Sequence, residues 1–428
     1  MTMDFSPLRR EIELLPTLVG YFKNIEEADS LLNAHIHIDE SVSSFNFYDR
    51  EGGYYVAGDK FERFGSIVDK IAQHIGCISA KDIEQVLRLF FREDIADTYE
   101  SFLNLFNEIE PYSYSFVGIL RGATIHDVRQ IGCYKFIPPE QCAAHFNDRI
   151  LHTIEFFEKN NSEQANKYCL VEITVESWGF NADFIRSRPH SFMLLRLGGY
   201  AHNEATQRFQ KLDNTLRFLW GDCDKFYGLG IFDFRTDTTN FIYTYDVQSH
   251  GGFQTSRCGA PSLTIPLSDE KFFSLSTECI WDLRCQRELS KYRNCIARAI
   301  DWIGSAINQR DDTLAFMQCM FAVECLLLDE NEFFSKSIVA QISEYIAFIV
   351  ADKPEERIEA EKRFKEIYKL RSAIAHGGLT DEAKISSALP GLVRMSREVV
   401  LKLLTKEGFA RITSKKELHA LIQQLRYS

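Results

Sequence analysis

The feature that most constrains this chain is a long charged segment near its C-terminal end. The segment runs from Pro354 to His376 without glycine or proline after its first residue, and its apolar side chains recur at helical spacing. Pro354 suits a first helical turn, whereas His376 and Gly377 suit the last turn and the position just beyond it. The sequence therefore predicts one continuous helix that ends at about His376.

Two residues with chemical potential lie near the end of this predicted helix. Arg371 and His376 are five positions apart, which places them about 140° apart around the helix axis. Their side chains would therefore flank one face of the helix without touching each other. A site that uses both of them must be completed by groups from elsewhere.

The rest of the chain divides into a mixed region and a helical region. We expect an α+β N-terminal region, split into residues 1–110 and a second part at 111–282, followed by an all-α helical bundle over residues 283–428. Asp381 and Ser414 are plausible N-caps of the last two helices. The bundle helices are predicted near residues 287–309, 312–328, 334–350, 354–376, 381–404 and 414–425. Upstream, we predict strands that include 34–39, 44–48, 130–136, 168–177 and 192–197, and a helix from 139 to about 159.

The net charge, the length of the apolar runs and the spacing of the cysteines disfavour several functional classes. The 428 residues carry a net charge of −12, which disfavours a general nucleic-acid-binding surface. The acidity lies in the first two-thirds, so we expect any RNA to bind the C-terminal third. No apolar run approaches the length of a membrane span, and the N-terminus lacks a signal-peptide core, so we predict a cytoplasmic protein. The eleven cysteines include no Cys-x-x-Cys pair, and we interpret them as buried reduced thiols.

The end of the charged segment resembles a known family. Tyr368, Arg371, Ser372, His376 and Gly377 match a Tyr-x-x-Arg-Ser-x-x-x-His-Gly pattern of the HEPN superfamily, most closely of its ApeA-like branch. An upstream helix of that branch carries an Ala-x-Glu-x-Leu-Leu-like run, which the segment 322–328 resembles. The resemblance covers about the last 140 residues.

This resemblance implies a metal-independent endoribonuclease without a cofactor, in which two protomers face each other as a homodimer. On that basis Arg371 would bind the phosphate and His376 would act as base or acid. Ser372 would orient the phosphate or His376, and Glu324 would hold Arg371 in place. Such proteins commonly serve in prokaryotic antiviral defence or toxin-like systems. A trigger protein or ligand would then act on the N-terminal region, which would be a sensor or regulator.

Lysines before Arg371 provide a candidate path for RNA. Lys365 and Lys369 would track an RNA backbone, although a run of charges is more often a solvated helix face.

Two other functions remain open from the sequence. One is a non-catalytic HEPN-like module that dimerises or binds a nucleotide or a partner protein. The other is a metal hydrolase that uses His35, His37 and Asp39, which alternate along a predicted strand. We expect no metal at the Arg371–His376 site.

Overall fold

The structure is a computed structural model that divides into two compact units. One unit comprises residues 1–115 and 174–206, and the other comprises residues 116–173 and 207–428. The residues that the structure describes are 3–22, 53–56, 58–90, 98–121, 123–146, 151, 168–180, 199–220, 241–244, 265–267, 274–286, 288–309, 311–328, 338–375 and 382–427. The predicted strands at 34–39, 44–48 and 192–197 lie outside these residues.

The first unit is built on helices that share one apolar core. These helices are α1 (Arg9–Leu18), α2 (Gly58–Ile75), α3 (Ala80–Phe90) and α4 (Thr98–Phe106). Phe5 lies 5.1 Å from the ring of Phe102 and 5.3 Å from that of Phe106, both edge-on, so three buried aromatic rings anchor the chain start. A short antiparallel pair, β1 (Val19–Phe22) and β2 (Gly53–Val56), follows α1 and precedes α2.

A helix of 22 residues starts in the first unit. This helix, α5 (Gly199–Trp220), begins where the Asp82 carboxylate accepts hydrogen bonds of 2.9 Å from the backbone N–H groups of Gly199 and Tyr200. A carboxylate at a helix start satisfies backbone donors that have no partner within the helix. Asp82 therefore fixes the N-terminal end of α5.

A five-stranded sheet occupies the middle of the chain. Its order is β5 (Arg129–Ile131), β6 (Tyr134–Ile137), β7 (Tyr168–Phe180), β3 (Ile109–Arg121) and β8 (Phe241–Thr244). A separate parallel pair joins β4 (Ala123–Thr124) to β9 (Ile265–Pro266). The division between the two compact units falls within β3 and β7.

The prediction of one strand over residues 130–136 is wrong. Gly132 has a φ of +57°, a left-handed conformation that glycine adopts readily, and it turns the chain between β5 and β6. The apolar pattern continues through this turn, which hides the hairpin from a search for alternation. The helix predicted from residue 139 is observed as a short 3₁₀ helix, Pro139–Ala144, and most of its remainder lies outside the described residues.

The described elements from residue 275 onward are all helices. They are α6 (Leu275–Cys285), α7 (Lys291–Asn308), α8 (Asp312–Leu327), α9 (Ile338–Val350), α10 (Pro354–Ala375), α11 (Glu382–Thr405) and α12 (Lys415–Tyr427). Helix α8 packs against α7, α9, α10 and α11, and its buried side chains form the centre of the apolar core. The prediction of an α+β N-terminal region followed by a helical C-terminal region is therefore confirmed.

The predicted domain boundaries fall inside regular elements. Pro111 lies within β3, and the 282/283 boundary lies within α6, a helix that the sequence prediction did not include. Two predicted N-caps have different outcomes: Ser414 accepts a hydrogen bond of 3.3 Å from the Glu417 N–H group, and Asp381 lies outside the described residues. Over the residues that the structure describes, no helix is long and apolar enough to cross a membrane.

Candidate active site

The carboxylate of the candidate site lies near the C-terminal end of α8. Asp311 caps the start of this helix by accepting hydrogen bonds from the Thr313 and Leu314 N–H groups, at 2.8 and 3.0 Å. Glu324 lies at the edge of the buried face of α8, with 16% of its side chain exposed. A largely buried carboxylate in so apolar a helix requires a partner.

Arg371 is that partner, and it lies on the core-facing side of α10. Phe364, Ile367 and Tyr368 are the buried residues of this helix, and Arg371 continues the same face by one turn. Its Nε donates to Glu324 Oε1 at 3.0 Å, and its Nη2 donates to Oε2 at 3.3 Å. This two-point contact fixes the guanidinium plane. One bond uses Nε and the other uses Nη2, so the Nη1 group takes part in neither.

Tyr368 is a third member of the cluster, and the sequence prediction did not assign it a role at the site. Its hydroxyl donates to Glu324 Oε1 at 3.4 Å, and its ring centroid lies 5.6 Å from Arg371 Cζ. Burial, and then the Glu324 carboxylate, raise the pKa of Tyr368, so the hydroxyl stays protonated and donates. The sequence feature that could have indicated this role is the position of Tyr368 three residues before Arg371, because residues at this spacing share a helix face.

Two predicted site residues follow Arg371. Ser372 is partly buried, about 100° around the axis from Arg371. His376 lies outside the described residues, one position after the last residue of α10. The structure therefore brings together Arg371, Glu324 and Tyr368, and the catalytic role of His376 stays a prediction.

The predicted RNA-binding lysines lie on a different side of α10. At about 100° per residue, Lys365 and Lys369 are about 120° and 160° around the axis from Arg371. Lys365 Nζ contacts Glu361 Oε1 at 2.5 Å, and Lys369 Nζ contacts Glu366 Oε1 at 2.7 Å. The structure does not bring these lysines to Arg371, and their RNA-binding role stays a prediction.

An apolar stripe lies beside the site on α8. Leu314 and Phe321 are 53% and 40% exposed, and the Phe321 ring makes an edge-on contact of 5.7 Å with Trp302 of α7. Helical spacing places Phe321 on the same side of α8 as Glu324. Exposed apolar surface next to a polar cluster is typical of a protein contact surface.

The metal-site alternative cannot be placed in the structure. His35, His37 and Asp39 lie outside the described residues. Within the described part of the chain, no group of three or more His, Cys, Asp and Glu side chains is arranged to hold a metal ion.

Comparisons of the chain with protein-family models, with curated proteins and with solved structures give no match. The resemblance to the HEPN superfamily therefore stays a prediction from the sequence pattern.

Proposed function

We propose that the C-terminal bundle is a HEPN-like, metal-independent endoribonuclease. The observation that carries this proposal is the two-point contact of Glu324 with Arg371, on a helix whose end immediately precedes His376. Glu324 orients the guanidinium, and Nη1 takes part in neither of these bonds. A guanidinium held in this way is suited to bind a phosphate oxygen and to stabilise charge that develops there.

The proposed reaction uses the 2′-hydroxyl of the RNA as the nucleophile. His376 takes the proton of this hydroxyl, the 2′-oxygen bonds to phosphorus, and the bond from phosphorus to the 5′-oxygen breaks. The leaving 5′-oxygen takes a proton from a second imidazole, which starts the reaction in its protonated, imidazolium form. The products are a 2′,3′-cyclic phosphate and a 5′-hydroxyl. In this proposal His376 of a second copy provides the other imidazole, because each chain carries one His376.

We propose a homodimer for this reason. The exposed Phe321 supports it, because this side chain lies about one turn before Glu324 on the same helix, and Leu314 continues the exposed apolar surface two turns further along α8. Packing of two copies over this stripe would remove apolar surface from water and enclose Arg371.

The biological setting in this proposal is a cytoplasmic prokaryotic antiviral or toxin-like system. The acidic N-terminal region would act as sensor or regulator, because net negative charge repels RNA until a trigger protein or ligand shifts the assembly.

RNA cleavage in the presence of EDTA tests the proposal. We expect the wild-type protein to leave cyclic-phosphate ends, and Arg371→Ala and His376→Ala to cleave at least about 100-fold more slowly while the mass and the circular dichroism spectrum are retained. Equal cleavage by all three proteins would contradict the site assignment. The full-length protein should also be assayed with trigger candidates, because a regulated enzyme is inactive alone.

The second candidate function is a non-catalytic module that dimerises or binds a nucleotide or a partner. The observation that favours it is the pairing of Arg371 with Glu324, since a satisfied ion pair is also a common structural element. This function predicts that Arg371→Ala changes dimerisation or stability and that the wild type cleaves no RNA under any condition.

A further inference from the structure

Two cysteine side chains meet between α7 and α8. Cys295 lies in the second turn of α7, and Cys325 lies in the last turn of α8. The helical repeat places both on the seam between α7 and α8, because Cys295 lies seven residues before Trp302 and Cys325 lies four residues after Phe321, and the rings of Trp302 and Phe321 are in contact. Both thiols are partly exposed, and each shifts the pKa of the other. The 3.3 Å bond from Gln318 Nε2 to Ser305 Oγ and the ring contact of Phe321 with Trp302 show that these helices are antiparallel neighbours, so rigid elements hold both sulfur atoms.

The surroundings of Cys295 favour a thiolate. The hydrogen bond from Cys325 lowers the pKa of Cys295 to about 6, against the opposing effect of burial, and the charges of Lys415, Arg298 and Lys291 lower it further. The same hydrogen bond, together with burial, raises the pKa of Cys325, so Cys325 stays protonated and is the donor. Within the pair the proton is therefore held by Cys325, and Cys295 is the member that ionises first.

A buried hydroxyl lies close to this pair. Tyr292 is 3% exposed, and its hydroxyl has no hydrogen-bond partner among the described residues. Burial raises the pKa of Tyr292, and the neighbouring Cys295 and Cys325 raise it further. A hydroxyl without a partner beside a thiolate is a donor available to a new oxygen or sulfur species at Cys295.

A second cysteine neighbourhood shows that proximity alone does not create a thiolate. Cys285 accepts a hydrogen bond from the backbone of Cys133, but burial dominates and raises the pKa of Cys285 to about 11. Cys285 thus stays a thiol at neutral pH and serves as a matched internal control.

We propose that Cys295 and Cys325 form a peroxide-sensitive dithiol that closes to a disulfide between α7 and α8. In the first step the Cys295 thiolate attacks one oxygen of hydrogen peroxide or of an organic hydroperoxide, and the O–O bond breaks. Cys295 becomes a sulfenic acid, and the leaving oxygen takes up a proton. In the second step Cys325 attacks the sulfenic sulfur, the S–O bond breaks, and water leaves with the Cys325 proton. Two thiols are oxidised while the peroxide is reduced.

The disulfide between Cys295 and Cys325 would lie next to the candidate site in the sequence. Cys325 directly follows Glu324, which holds Arg371. A disulfide draws the sulfur atoms to about 2.0 Å, closer than in a hydrogen bond between thiols. Oxidation therefore fixes the end of α8 against α7 beside the Glu324–Arg371 pair. Formation of the disulfide does not depend on the proposed nuclease activity.

Peroxide treatment of the reduced full-length protein tests this proposal. Hydrogen peroxide is added at pH 7, remaining thiols are blocked with N-ethylmaleimide, and peptides are mapped by mass spectrometry with and without dithiothreitol. We expect a reducible peptide pair that joins Cys295 to Cys325, formed before exposed Cys77 is oxidised. In Cys325→Ser, dimedone should capture a sulfenic acid at Cys295, whereas Cys285→Ser should form the disulfide like the wild type.

Alkylation by iodoacetamide measures the thiolate directly. At pH 6.5 a thiol with a pKa of about 6 is mostly ionised, and after allowance for its lower nucleophilicity we expect it to react about five-fold faster than free cysteine. The pH midpoint of Cys295 alkylation should move upward in Cys325→Ala, which removes the donor. Oxidation of Cys77 ahead of Cys295 together with no Cys295–Cys325 linkage would overturn the proposal. A midpoint that is unchanged in Cys325→Ala would also overturn it.

Discussion

Both sides of α10 carry apolar and basic side chains, but one side faces the core of the bundle and the other is exposed. The core-facing side carries Phe364, Tyr368 and, one turn later, Arg371. The opposite side carries Ile358, which is 67% exposed, and a series of charges that includes Lys369. The position of a basic side chain around the helix axis therefore determines which helix supplies its acidic partner. A cation that extends the buried face is held by another helix, whereas a cation on the outer face pairs within its own helix.

The ion pairs of the two sides show the same difference. Arg371 joins α10 to α8 through two hydrogen bonds, and 26% of its side chain is exposed. Lys369 pairs with Glu366 three residues earlier, and 70% of its side chain is exposed. Exposed pairs of this kind contribute at most about 1 kcal/mol because water screens them. Arg371 is therefore the cation that the fold positions.

Truncation of the core-facing side should have the largest effect on stability. Phe364 is completely buried, and Phe364→Ala leaves a cavity in the bundle core, so we expect a loss of about 3–5 kcal/mol in the free energy of unfolding. Ile358→Ala is the matched control on the exposed side, with an expected change within about 0.5 kcal/mol. Urea denaturation measures both. Equal losses for the two variants would contradict the assignment of faces.

Loss of the Glu324 charge should have an intermediate effect. In Glu324→Gln the half-buried guanidinium keeps only a neutral partner, and we expect a loss of about 1–2 kcal/mol in the free energy of unfolding. A double-mutant cycle with Arg371→Met should give a coupling energy of about 1 kcal/mol.

The matched cycle pairs Glu366→Gln with Lys369→Met. Its coupling should be about 0.5 kcal/mol or less, because both side chains are largely exposed. A coupling energy between Glu366 and Lys369 that exceeds the one between Glu324 and Arg371 would contradict the difference between the two sides of α10.

The smallest effect should come from the Tyr368 hydroxyl. Its bond to Glu324 is long at 3.4 Å, so we expect Tyr368→Phe to cost about 0.5 kcal/mol at pH 8. The pKa of Tyr368 is raised in the folded state, so its contribution is complete below the unfolded pKa of about 10 and falls as the pH rises through the folded value. Urea denaturation at pH 8 and 10.5 should therefore show a smaller difference at the higher pH. A larger difference at pH 10.5 would contradict the direction of this shift.

The sequence predicted the bundle well because long helices have a strong periodic signal. The helix α10 is observed from Pro354 to Ala375, the last described residue before 376, and the prediction agrees with it over this whole range because the charged stretch after Pro354 contains no glycine or proline. Helix α6 was missed because its Leu275–Cys285 segment lacks a clear apolar face. The hairpin at Gly132 was missed because the apolar pattern continues through the turn.

The sequence predicted only part of the candidate site. The family-like runs around Glu324 and Arg371 pointed to a pair, and the structure places the two in contact across 47 positions of sequence. The angles of about 120° and 160° that separate Lys365 and Lys369 from Arg371 follow from the helical repeat, but the side of α10 that is buried became known only from the structure. The contact between Cys295 and Cys325 depends on the pairing of α7 with α8, and spacing gave no signal for it.

The most direct test of the central claim compares two cations of α10 in one assay. RNA cleavage in EDTA is measured for the wild type, Arg371→Ala and Lys369→Ala under conditions in which the wild type is active. We expect Arg371→Ala to reduce the rate by 100-fold or more, as is typical for loss of a group that stabilises developing charge (about 10²–10³-fold), and Lys369→Ala to stay within about two-fold. An equal reduction in both variants, or a greater one in Lys369→Ala, would contradict the claim that the fold positions Arg371 for phosphate.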